Sequence, residues 1–177
     1  MNKKRFVVLI VVISMLFLFT GCSYVAYKDY YSESEDYTNI WELTGFRHGY
    51  DDISPLFPES INDLEVIDFI CRYDQQLPLG EGIQIFLEVN YRDADTFNME
   101  LEKITSMTFN CSSYFEESGL FFYATKLGVD SSSEYAVVDE EEMKVWYIYL
   151  QDLPKSEIEF DEKFIPIGYS DYGEIIQ

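Results

Sequence analysis

The stretch Ile83 to Tyr91 reads IQIFLEVNY, and its pattern decides the fold class. Ile83, Ile85, Leu87, Val89 and Tyr91 alternate with Gln84, Phe86, Glu88 and Asn90. Successive side chains of a strand point to opposite faces, so this alternation predicts a strand with one face in a core. Upstream, Val66 to Tyr73 repeats the pattern: Ile67, Phe69, Cys71 and Tyr73 fall on one face, with Asp68 and Arg72 on the other. Gln75 to Gly82, with Pro78, Gly80 and Gly82, reads as the turn between the two strands. Downstream, Asp93 or Asp95 caps a helix over Thr96 to Ile104. Phe97, Leu101 and Ile104 form one narrow apolar stripe, so that helix lies on the sheet. Leu120 to Leu127, Glu134 to Asp139 and Lys144 to Gln151 read as strands, the last two joined at Glu140, Glu141 and Glu142. In the last strand Trp146, Ile148 and Leu150 face one way and Val145, Tyr147 and Tyr149 the other. Ser131 to Ser133 reads as a loop, and the tail from Pro154 as short elements. The expected class is α+β, an antiparallel sheet of about five strands with one helix packed across a face.

Composition limits the function. The 177 residues carry 33 acids against 12 bases, a formal charge of -21. Nucleic-acid binding draws most of its affinity from Lys and Arg on phosphates, so DNA, RNA and anionic lipid headgroups are not expected partners of the folded part. Hydrophobic residues at 47% are enough for one modest core.

The chain opens Met1-Asn2-Lys3-Lys4-Arg5, continues apolar from Phe6 to Phe19 except for Ser14, and then reads Thr20-Gly21-Cys22-Ser23. Three cations, a short apolar run and small residues make the plan of a secretory signal. Crossing the hydrocarbon takes about 20 apolar residues, which Phe6 to Phe19 does not supply. Thr20-Gly21-Cys22 resembles the lipobox of bacterial lipoproteins, with Phe19 where Leu is usual and Leu18 one place earlier. That resemblance implies a diacylglyceryl thioether on Cys22 and cleavage after Gly21. Two acyl chains suffice for stable anchoring, at about 0.8 kcal/mol per buried methylene. Removing residues 1–21 takes away three cations and no acid, so the charge falls from -21 to -24. Residues 22–45, rich in Tyr, Ser and acid, read as a tether, and 46–177 as a single domain.

FPESI (Phe57 to Ile61), IQIFLEV (Ile83 to Val89) and KVWYIYLQ (Lys144 to Gln151) resemble strings in a set of small clostridial lipoproteins. The resemblance spans about Leu56 to Phe164. These strings are structural, so they imply a family and no chemistry.

Residues with chemical potential are few. His48 is the single histidine, and zinc sites take three or four N or S ligands, so no metal site is expected. Asp93-x-Asp95 presents oxygens but lacks the rest of a calcium loop and reads as a helix cap. Cys71 and Cys111 are candidates for a disulfide or for two buried thiols. No catalytic or cofactor motif surrounds any Ser or Cys. Asp51 with Asp52, and Glu140 to Glu142, are acidic clusters of ordinary kind. Phe86, Tyr147 and Tyr149 either line a sheet face that takes a peptide, glycan or protein, or fill the core.

The expected protein is thus a lipoprotein on the outer face of the bacterial cytoplasmic membrane, acting as a non-enzymatic binding or interaction module. Its membrane contact is the lipid on Cys22, and its partner a protein, peptide or glycan. The alternative is a carboxylate-based hydrolase of cell-wall or glycan material.

Overall fold

The computed structural model describes residues 24–37, 56–77, 80–170 and 174–175. Seven strands make one sheet: β1 Tyr24–Tyr31, β2 Glu65–Leu77, β3 Gly80–Asn90, β4 Phe109–Asn110, β5 Phe121–Val129, β6 Ser132–Asp139 and β7 Lys144–Gln151. Their order across the sheet is β1-β2-β3-β7-β6-β5-β4. Every neighbouring pair is antiparallel. Among the described residues one α-helix, α1, covers Ala94–Met107. The α+β class and the antiparallel sheet are as expected, but the strand number is seven, not about five. The additions are β1 and β4.

The first addition corrects the tether expected over residues 22–45. Part of that segment, Tyr24–Tyr31, is edge strand β1, paired from Tyr24 opposite Leu77 to Tyr31 opposite Cys71. Its Ser and acid content suggested a linker, yet YVAYKDYY is rich in the Tyr and Val that strands favour. The open edge of β2 supplies the backbone partners. The turn expected over Gln75 to Gly82 is also shorter, because β2 runs to Leu77 and β3 begins at Gly80.

The sheet has two covered faces. On one, Phe69, Cys71 and Tyr73 of β2, Ile83, Ile85, Leu87 and Val89 of β3 and Val145, Tyr147 and Tyr149 of β7 pack with Phe97 and Ile104 of α1 and with Tyr37, Leu56 and Phe57. On the other, Phe86, Phe122, Tyr135, Trp146, Ile148 and Leu150 are covered by Cys111, Phe115 and the segment after β7, through Leu153, Phe164, Ile165 and Tyr169. Each large apolar side chain removed from water contributes about 1.5–3 kcal/mol. The two-sided apolar pattern of β7 follows from this sandwiching.

Helix α1 starts where its cap dictates. Asp93 stands in extended conformation, accepts from Thr96 N at 2.8 Å and accepts from Thr96 Oγ1 at 2.7 Å. Asp95 lies in the first turn, where its charge suits the helix dipole.

One residue departs from the alternation. Ile67 is 49% exposed, although its spacing from Phe69 predicts an inward side chain. The register shifts between Val66 and Asp68, so Ile67 is the extra residue of a β-bulge and Val66 takes the inner position.

Ser132 and Ser133, expected in a loop, belong to β6 and are buried. The connection is only Asp130-Ser131, with φ of 48° and 58°. Two-residue hairpin turns of this kind need positive φ at both positions and favour Asn-Gly. Exchanging Asp130→Asn and Ser131→Gly is expected to stabilise the domain by about 1 kcal/mol, or roughly 2–4 °C in Tm. Thermal unfolding followed by circular dichroism checks it, and an unchanged or lower Tm would contradict this turn geometry.

Gly128, beside that turn, sits at φ 66° with Ile175 against it. A Cβ there would stand 3.2 Å from the Ile175 backbone nitrogen, so the chain end approaches β5 only because the residue is glycine.

Candidate functional site

Cys22 lies outside the described residues, as do His48, Asp51 and Asp52. The other predicted residues are placed as follows. Cys71 and Cys111 are free and buried. Cys71 belongs to the helix-side core and Cys111 to the opposite one, so the sheet separates them, and of the two alternatives it is the two buried thiols that the structure shows. Burial, with the Asp29 charge adding to it, pushes the Cys71 thiol up to about 12. Burial pushes Cys111 to about 12 as well. Neither thiol has the thiolate character that a nucleophile needs.

Phe86 lies on the face opposite Tyr147 and Tyr149, and all three rings are buried. They are core, not one open aromatic surface. Asp93 acts as a helix cap, and the acidic run after β6 is turn: Asp139 Oδ1 accepts from Glu141 N and Glu142 N, each at 3.0 Å. Among the described residues no group of three or more His, Cys, Asp or Glu is arranged to hold a metal.

Two buried polar networks tie elements together. Tyr147 OH donates to Glu100 Oε1 at 2.9 Å, and Lys103 Nζ donates to the same oxygen at 3.1 Å. The Tyr91 and Tyr147 hydroxyls stand 2.8 Å apart, so this network joins α1 to β7 and the end of β3. The second network centres on Arg72. Its Nε donates to Asp74 Oδ2 at 2.7 Å, and its Nη2 bonds the same oxygen. Nη2 also donates to Glu157 Oε2 at 2.6 Å, Nη1 to the Glu157 carbonyl at 2.9 Å, and Nη1 lies 3.5 Å from Glu159 Oε1. Burial pulls the Arg72 pKa down, but the bonds and charges of Asp74 and Glu157 outweigh it and raise it above the ordinary guanidinium value. Gln84, opposite Arg72 on β3, accepts from Glu159 N at 3.0 Å. Arg72 therefore pins the segment after β7 onto the sheet.

The same segment builds the candidate site. Phe164 seats against Trp146 at 4.9 Å between ring centroids, and Phe160 stacks on Phe86 at 5.0 Å. Tyr135 OH donates to the Phe164 carbonyl at 2.7 Å, Tyr169 OH to the Leu153 carbonyl at 3.0 Å, and Ile167 N to the Tyr114 carbonyl at 2.7 Å. Between this strap and the loop after Tyr114 lies an open cleft of about 500 Å³. Lys155, Lys163, Glu116, Glu117 and Glu162 line it beside Ile165 to Tyr169. Lys155 Nζ stands 3.7 Å from Glu162 Oε2, and Lys163 Nζ 3.6 Å from Asp161 Oδ2 and 4.8 Å from the Phe164 ring. These are loose, water-exposed pairs that hold little energy of their own and give way readily to a ligand.

Sequence reasoning did not find this cleft. The available signal was the scarcity of cations: nine remain after residue 21, and two of them, Lys155 and Lys163, converge here. No protein-family model matches the chain, and no curated protein or solved structure matches it.

Proposed function

We propose that the chain is a lipoprotein held by acyl chains on Cys22 at the outer face of a bacterial cytoplasmic membrane, and that its domain is a non-enzymatic binding module. The observation that carries this reading is the order of the first 22 residues: three cations, an apolar run too short to span, and Thr20-Gly21-Cys22.

The charged cleft supports the binding half. It sets the Lys155 and Lys163 ammonium groups beside three glutamates in an open concavity. That arrangement suits a peptide or protein segment carrying both signs of charge, since complementary charges give specificity and speed of encounter. The hydrolase alternative finds less support. A proton-donating carboxyl in such enzymes is shielded from water. The Glu162 side chain is 82% exposed and faces Lys155.

Cross-linking on intact cells, with affinity recovery and mass spectrometry, tests the module. One surface protein is expected to be recovered reproducibly, to be lost with Cys22→Ala, and to be lost with Lys155→Glu plus Lys163→Glu. Recovery of abundant neighbours alone, or of a partner indifferent to the charge reversal, would contradict it.

A further inference from the structure

The start of β1 fixes how the domain meets the bilayer. Tyr24, the first strand residue, pairs with Leu77 at the β2–β3 hairpin end of the sheet. Only Ser23 separates it from Cys22, and two residues of extended chain reach about 7 Å. No slack remains for the domain to turn over once Cys22 carries lipid.

We propose that the bilayer surface is a docking partner of the domain, facing the end of the sheet where β1 begins, with the β2–β3 hairpin and the Asp130-Ser131 turn toward the headgroups. The inference rests on the lipidation of Cys22 proposed above. The opposite end of the sheet then points outward. A second, independent observation agrees. The outward end gathers Glu65, Asp93, Asp95 and the run Asp139 to Glu142, against Arg92 and Lys144, whereas the inward end carries Glu81, Asp130 and Asp152. Anionic lipid headgroups repel the more acidic end, so electrostatics and tether length favour the same orientation. A partner approaching from outside therefore meets the acidic end first.

The test uses full-length lipidated protein in vesicles of phosphatidylglycerol and phosphatidylethanolamine with acceptor dyes on the headgroups. Donor dyes are attached to Val129→Cys at the inward end or Glu141→Cys at the outward end, both exposed positions. Cys71 and Cys111 are buried and Cys22 is acylated, so labelling is confined to the introduced thiol. Seven strand steps place the two labels about 25 Å apart along the sheet. Energy transfer is expected to be several-fold stronger from residue 129. Inserting a 20-residue Gly-Ser segment between Ser23 and Tyr24, about 25 Å in mean span, is expected to reduce the contrast, leaving only the part that electrostatics holds. Equal or reversed transfer without the insertion, or a contrast that the insertion leaves undiminished, would overturn the proposal. A purified chain whose mass lacks the acyl groups overturns the lipidation reading as well, and is seen before any transfer is measured.

Discussion

Replacing Arg72 by methionine is expected to destabilise the domain by about 3–5 kcal/mol, the usual cost of stripping one partner from a buried ion pair. The Arg72 side chain is 10% exposed and that of Asp74 only 4%, so the carboxylate left behind is shut away from water beside two further acids. Glu157 and Glu159 are 37% and 38% exposed, so water screens their share, and Asp74 carries most of the effect. The strap also loses its anchor, because Arg72 holds both the side chain and the carbonyl of Glu157. The double exchange Arg72→Met with Asp74→Leu is expected to recover most of the loss, as buried pairs replaced by apolar groups often do. Urea unfolding of the three proteins measures this. A loss below about 1 kcal/mol for Arg72→Met would show that the cluster is not holding the strap.

The second large effect is expected at Phe122. This ring is fully buried and stacks on Phe115 at 3.9 Å between centroids, fixing the loop after β4 to the strap-side face. Phe122→Ala leaves a cavity and is expected to cost about 3–5 kcal/mol. Its neighbour Phe121 is 41% exposed on the other face, and Phe121→Ala is expected to cost less than about 1 kcal/mol. Neither exchange alters charge, and the two positions differ only in which way the strand turns them. Equal midpoints in urea would mean that β5 is registered differently from the pairing of Phe122 with Val137.

Where periodicity is strong, the fold was legible. The alternation of β3 and the stripe Phe97, Leu101, Ile104 each name an element and its inner face, the alternation of β7 names the strand alone, and the helix start is narrowed to Asp93 or Asp95, of which Asp93 is the cap. Where structure depends on a distant partner, it was not. YVAYKDYY becomes a strand because β2 offers an edge, which no local pattern announces. Ile67 turns outward because a bulge shifts the register, and a strict period of two cannot show an inserted residue. The strap has no period at all: Phe160, Phe164 and Ile165 take their places from the outer face of β7. That β7 is apolar on both sides was the one hint that something covers its second face. The cleft depends on the same strap, so Lys155 and Lys163 were visible as cations but not as neighbours. The choice between a disulfide and two buried thiols stayed open for a related reason: spacing does not say that a sheet stands between Cys71 and Cys111.

The lipid proposed on Cys22 underlies both the proposed function and the proposed orientation of the domain. The most direct measurement is the mass of the N-terminal peptide of the chain taken from the membrane fraction of producing cells. It is expected to begin at Cys22, with Gly21 and everything before it removed, and to carry a diacylglyceryl group on sulfur. A peptide beginning at Met1, or one beginning elsewhere with the Cys22 thiol free, would contradict the account.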